Sequence, residues 1–249
     1  MRPQIIAHRG ASAYEKENTL MAFEKAIALG ADMIEFDVRL TRDKVLIIYH
    51  DPTLRNYPIR KLTYGEILSV DPDVPTLASA LEVCQGRIRL DVEIKVMRCE
   101  KEIVKLLLAA YQPDQFVVTS FYPIVLQRVK KKCPDITTGF LFGDVTVDVC
   151  KSLRCSANSV RKRVRKMKAD FIAPDWQLLD SKLLSKVVTE LPIWLWTVNE
   201  AEVMSQVISD PRIHGIITDK PDLGMDIRQQ HVSAFHERDR LACDRTVTG

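Results

Sequence analysis

The chain has no apolar run approaching the roughly 18 residues that would suggest a membrane span, so stable membrane insertion is not expected. Its N-terminus, Met1 to His8, holds too short an apolar stretch for the core of a signal peptide, and a cytoplasmic location is the expectation. Charge of one sign is also scarce. A formal net charge of +3 is too small to argue for nucleic acid as a partner. Six cysteines (Cys84, Cys99, Cys133, Cys150, Cys155 and Cys243) lack paired-ligand spacing, because nothing complements the nearest pair, Cys150 and Cys155. A chain of 249 residues that is 46% hydrophobic builds a core without disulfide staples, so these thiols are expected to be reduced and mostly buried. No linker rich in Gly, Pro or Ser divides the chain. One domain is expected over residues 1–225, followed by a polar tail at 226–249 with little apolar periodicity.

What is present is an alternation of short β-rich runs with longer segments of helical period. The strand-like runs are Gln4 to His8, Met33 to Val38, Val45 to Tyr49, Arg89 to Lys95, Phe116 to Ser120, Thr138 to Phe142, Phe171 to Pro174, Ile193 to Val198 and Gly215 to Thr218. Helical patterns cover Asn18 to Leu29, Thr76 to Cys84, Glu100 to Tyr111, Ile124 to Lys132, Ser181 to Leu191 and Glu200 to Ile208. The order implies an α/β fold, a (β/α)8 TIM-type barrel. It is a somewhat irregular one: nine runs compete for eight places. The gap between Val38 and Val45 is too short for a helix, so the link between strands 2 and 3 must be extended.

In such a barrel, side chains that do chemistry sit where strands run out into their following loops. Glu35 and Asp37 are two apart and share one face of a strand, as do Asp91, Glu93 and Lys95. Carboxylates on an interior face need a cation. A structural ion network with Arg9, Arg39 or Lys95 would serve for one acidic pair. A second acidic strand, with His8 and His50 at neighbouring strand ends, shifts the balance to an oxygen-rich site for Mg²⁺ or Ca²⁺ rather than zinc. Two imidazoles beside a cation provide what phosphodiester cleavage needs, a base for the nucleophile and an acid for the leaving alkoxide. Arg9 offers a planar fork for a phosphoryl oxygen, and can equally partner the carboxylates.

These residues resemble the glycerophosphodiester phosphodiesterase family of phospholipase-C-like barrels. The matching pieces are HRG at His8 to Gly10, ENT at Glu17 to Thr19, EFDV at Glu35 to Val38 and HDPTL at His50 to Leu54. EIK at Glu93 to Lys95, WTVN at Trp196 to Asn199 and GIITDKP at Gly215 to Pro221 follow, in the family's order. The resemblance implies metal ligation by Glu35, Asp37 and Glu93, and a catalytic pair of His8 as base and His50 as acid. It further implies phosphate contacts from Arg9 and Lys95, with Trp196 walling the cleft and Glu17 and Asn18 bracing the first loop. The implied activity is hydrolysis of small-molecule glycerophosphodiesters to glycerol 3-phosphate and an alcohol. The chain departs from the family in two places. Lys16 stands where relatives usually carry proline, and the segment Asp51 to Pro75 is short, which predicts a more open site. An open site would also admit lysophospholipids or sphingolipids for phospholipase-D-type cleavage. Peripheral lipid contact through the basic stretch Val160 to Lys168 is then a possible partner interaction, against its plainer reading as a solvated helix face. A barrel that binds phosphodiesters without cleaving them is the alternative from outside the enzymes, and the complete acid–base set weighs against it.

Overall fold

The computed structural model describes residues 2–143, 157–179, 191–231 and 233. The first half supplies strands β1 (Gln4–His8), β2 (Met33–Leu40), β3 (Leu46–Ile48), β4 (Thr53–Leu54), β5 (Tyr57–Pro58) and β6 (Arg89–Ile94). Strands β7 (Phe116–Ser120), β8 (Thr137–Phe142), β9 (Phe171–Pro174), β10 (Ile193–Leu195) and β11 (Ile213–Thr218) follow. Among the described residues the helices are α1 (Leu20–Ala28), α2 (Tyr64–Leu68), α3 (Leu77–Cys84), α4 (Glu100–Ala110), α5 (Pro123–Lys132), α6 (Ala157–Met167) and α7 (Ala201–Ile208), with helical turns again over 221–231.

Eight parallel strands form a closed barrel in the order β1, β2, β6, β7, β8, β9, β10, β11, and β11 pairs back onto β1. The ninth run is thereby placed. β3 lies antiparallel to the outer end of β2, Val38 opposite Ile48, so the extended link turns the chain back instead of crossing over. The short segment after it carries structure of its own. β4, β5 and α2 enclose a separate apolar cluster of Ile47, Leu54, Ile59, Ile67 and Val74, and a Thr63–Glu66 capping box starts α2.

Local chemistry sets the helix boundaries. Thr19 caps α1 by accepting from the Ala22 amide at 3.2 Å, and Asn18, with φ +59°, stays outside the helix. Glu100 and Glu102 open α4, while α5 starts at Pro123 and ends on Lys130, Lys131 and Lys132, in keeping with the helix dipole. In α6 Met167 is buried and Val164 packs against the core, leaving Lys162, Arg165 and Lys166 exposed on a solvated face. Cys84 and Cys99 are buried free thiols and Cys133 is half-buried. The expected helix Ser181 to Leu191 and the cysteines at 150, 155 and 243 lie outside the described residues, Leu191 excepted. At the start of the segment expected as a polar tail, Ile227 is buried and Arg228 donates to the Pro3 carbonyl at 3.0 Å.

Inside the barrel, Ile6, Met33, Val117, Leu141, Phe171, Ala173, Trp194 and Ile217 form one apolar floor. The Phe171 and Trp194 rings stack with centroids 4.2 Å apart. Each occupies space that a neighbouring strand leaves vacant: a Cβ at Gly139 would fall 2.2 Å from the Phe171 ring, and one at Gly215 would fall 2.6 Å from Trp194.

Candidate active site

Above this floor β1 and β2 turn polar two positions on, at His8 and Glu35, as does the chain leaving β11 at Asp219, and β6 adds Asp91 and Glu93. Across the sheet His8 stands beside Glu35, Glu35 beside Asp91, and Asp37 beside Glu93. Glu35, Asp37 and Glu93 are buried, and each contributes an oxygen to a group whose members all lie within 4.8 Å of one another. Acids from two strands distant in sequence thus converge as the period-two reading requires.

Part of the ion network weighed for these acids is also there. Lys95 Nζ lies 2.8 Å from Glu93 and 3.1 Å from Asp37, and Arg9 Nε lies 3.3 Å from Asp37. Asn18 donates to Asp37 at 2.8 Å, and the Arg9 amide donates to Glu35 at 3.0 Å. The cations do not balance the cluster. Burial, reinforced by Asp37 and Glu93, pushes Glu35 well above the ordinary carboxylate range. Burial likewise raises Glu93 to about 7 against the opposing pull of Lys95. Asp91, beneath them and bonded by the Thr119 hydroxyl at 2.7 Å, is raised by burial to about 8. Asp37 alone is held low, because Lys95 and Arg9 outweigh its burial. Its Oδ1 is buried and accepts no hydrogen bond. Three hard oxygen donors in mutual repulsion, with Asp37 Oδ1 in ion-pair contact with Lys95 at 3.1 Å but hydrogen-bonded to nothing, fit a divalent cation.

The two histidines are held differently. His8 Nδ1 is 2.6 Å from Asp219, a residue 211 positions away on the end of β11. Asp219 also accepts from Ser12 at 2.8 Å and from Asn199 at 2.6 Å, and its amide donates to Asn199 Oδ1 at 2.9 Å. The His8 contact outweighs burial and lowers Asp219 to about 2. His50 Nδ1 is 2.8 Å from Asp51, and the His50 carbonyl accepts from Arg39 Nε at 2.8 Å and Nη2 at 2.5 Å. Burial, then the nearby Lys95 charge, lowers the His50 pKa. Trp196 donates from its indole to the Ala173 carbonyl at 2.7 Å and meets Phe121 edge-on, with centroids 5.5 Å apart. Beside His50 a cavity of about 140 Å³ opens between the first loop, Tyr49 and Asp71. Lys16, in place of the usual proline, spans its edge by pairing with Asp71 and, at 3.2 Å, with Asp73. Glu17 grips Arg9 at 2.8 Å.

The candidate site residues His8, Arg9, Glu35, Asp37, His50, Glu93, Lys95 and Trp196 therefore lie at or beside one end of the barrel. Asp219 and Asn199 were visible only as parts of motifs, and Arg39 only as a possible ion partner. Alternation was the unused signal, since Asp219 sits two residues beyond the inward-facing Ile217 and Arg39 two beyond Asp37.

The glycerophosphoryl diester phosphodiesterase family model matches residues 8–223. The chain belongs to that family. It is a phosphoric diester hydrolase, a glycerophosphodiester phosphodiesterase. A glycerophosphodiester phosphodiesterase of Caldanaerobacter subterraneus subsp. tengcongensis is 27% identical over 245 residues, 89% of this chain and 96% of that protein. Among solved structures, a glycerophosphodiester phosphodiesterase from Thermotoga maritima superposes with a TM-score of 0.74 at 24% identity, covering 92% of this chain and 99% of that one. An Oleispira antarctica phosphodiesterase in complex with the product sn-glycerol-3-phosphate gives 0.76 at 22% identity, covering 91% and 96%. These two likenesses bear on the barrel itself. No helix among the described residues is long and apolar enough to cross a membrane.

Proposed function

We propose that the chain hydrolyses small glycerophosphodiesters, such as glycerophosphocholine or glycerophosphoethanolamine, to sn-glycerol 3-phosphate and an alcohol by His/His acid–base catalysis around a divalent metal. The observation that carries this reading is the convergence of Glu35, Asp37 and Glu93 within 4.8 Å at the barrel end that bears both histidines. The glycerol 3-phosphate product of the Oleispira relative agrees with it.

Glu35, Asp37 and Glu93 would hold Mg²⁺ or Ca²⁺, which supplies Lewis-acid stabilisation of the charge growing on a phosphoryl oxygen. Arg9 and Lys95 bind that oxygen's neighbours. With Nδ1 engaged by Asp219, neutral His8 carries its proton on Nδ1 and leaves the Nε2 lone pair free, the arrangement of a general base. His8 removes the proton of the attacking hydroxyl, which belongs either to water or to the substrate's own glycerol 2-hydroxyl; in the second case a cyclic phosphate forms first, and water then opens it to glycerol 3-phosphate. The bond from phosphorus to the departing alcohol breaks, and protonated His50 delivers its proton to that oxygen. Its lowered pKa makes protonated His50 a stronger acid than an ordinary imidazolium. Trp196, fixed by its bond to Ala173, walls the cleft.

The experiment is release of sn-glycerol 3-phosphate from glycerophosphocholine, measured before and after chelation and in His8→Ala and Glu93→Ala. Turnover should disappear on chelation, return with Mg²⁺ or Ca²⁺, and fall by orders of magnitude in both variants. Full turnover in chelator would remove the metal from the reaction, and undiminished turnover in His8→Ala would remove the base. Binding of the diester with no turnover under any condition would make the barrel a binding module.

A further inference from the structure

Of the cations on the inner face of this site, Arg9 and Lys95 are each engaged by two carboxylates, Arg9 by Glu17 and Asp37 and Lys95 by Glu93 and Asp37. Arg39 differs. It lies on the same face of β2 as Glu35 and Asp37, one alternation nearer the rim, and is half-buried. Its Nε and Nη2 both donate to one neutral acceptor, the His50 carbonyl, at 2.8 and 2.5 Å. Among the described residues it forms no ion pair, and Nη1 donates to no protein acceptor while remaining open to solvent. Asp37 and Glu93 act on this half-buried guanidinium only from beyond ion-pair distance, so its free edge gains from an anion that reaches it. Its planar fork suits that task, since one edge can hold a carbonyl while the opposite nitrogen meets a phosphoryl oxygen.

We propose that Arg39 is a further substrate-binding residue, which takes a non-bridging oxygen of the phosphodiester through Nη1 while its other edge holds the His50 main chain. The phosphate and His50 are thereby set in register by one rigid group. This rests on the phosphodiesterase reading above, in which the substrate's phosphate lies over Asp37 and Glu93.

The test is competitive inhibition by sn-glycerol 3-phosphate and by inorganic phosphate, with kcat and KM, for the wild type, Arg39→Gln and Arg39→Lys. Glutamine keeps a donor for the His50 carbonyl and removes the charge. Lysine keeps the charge and removes the fork. Loss of one charge-assisted bond should weaken inhibition by both anions roughly ten- to hundredfold in Arg39→Gln, with part of the affinity regained in Arg39→Lys. Unchanged inhibition constants in Arg39→Gln, whatever happens to kcat, would reduce Arg39 to a support for His50 and overturn the proposal. Thermal unfolding of each variant guards against misfolding; should Arg39→Gln fail to fold, the same constants for Arg39→Lys decide, since loss of the fork must then weaken anion inhibition. A wild type that turns over no glycerophosphodiester is the separate failure, that of the functional reading itself.

Discussion

Below the level of Glu35, the barrel is filled by Ile6, Met33, Val117, Leu141, Phe171, Trp194 and Ile217, with Gly139 and Gly215 making room for the rings. Above it β1, β2, β6 and the chain leaving β6 and β11 present His8, Glu35, Asp37, Arg39, Glu93, Lys95 and Asp219. β2 crosses both zones most fully, with Met33 in the lower and Glu35, Asp37 and Arg39 in the upper. The lower zone is held by shape, because apolar contacts are non-directional and a ring fits only where a neighbour has withdrawn. The upper zone is held by charge and is incompletely balanced, with the buried acids Asp91 and Glu93 raised toward neutrality. Stability resides in the first and reactivity in the second, two residues apart along the same backbone.

That separation is open to attack by substitution. The largest effect expected is His8→Ala, with turnover falling about 10²- to 10⁴-fold and little change in unfolding free energy, measured by steady-state kinetics beside urea denaturation. A comparable loss of stability would mean that the imidazole props up the barrel. Next, Phe171→Ala should cost about 3–5 kcal/mol of stability while the folded fraction keeps its kcat; a folded but inactive variant would show the zones to be coupled. Gly139→Ala should cost about 1–3 kcal/mol, because the new methyl meets a ring already packed against Trp194. Adding Phe171→Leu should recover part of that cost, and no recovery would place the strain elsewhere.

The smallest effect sharpens the boundary. Asp219 is lowered to about 2 in the folded protein, against nearly 4 when unfolded. Its contribution to stability is therefore present above about pH 4 and lost as the pH falls toward 2. The stability difference between wild type and Asp219→Asn should shrink over that window, as followed by denaturant titration at several pH values. A difference that persists unchanged at pH 2 would tie Asp219 to something other than His8.

Alternation and strand ends made the upper zone legible in the sequence. Glu35 and Asp37, and Glu93 and Lys95, declare a shared face by spacing alone, and His8 and His50 close β-rich runs. Partnerships across the barrel were not legible. Nothing local in the sequence joins Asp219 to His8 over 211 positions, since closure of the sheet creates that contact. The direction of β3 was hidden for a related reason: Val45 to Tyr49 has the composition of any barrel strand, and only its pairing with the far end of β2 reveals the reversal. Asn18 fits a helical pattern, yet its side chain bonds Asp37 and its backbone takes a left-handed turn, so a tertiary contact overrides the periodicity.

The seam between β1 and β11 has a further meaning for how this protein matures. The imidazole on the first strand receives its orientation from a carboxylate on the last, so a folding intermediate with that seam unzipped holds most of its architecture and no aligned proton acceptor. Such species would stay chemically silent, and the onset of turnover during refolding would mark the moment the ring of strands closes.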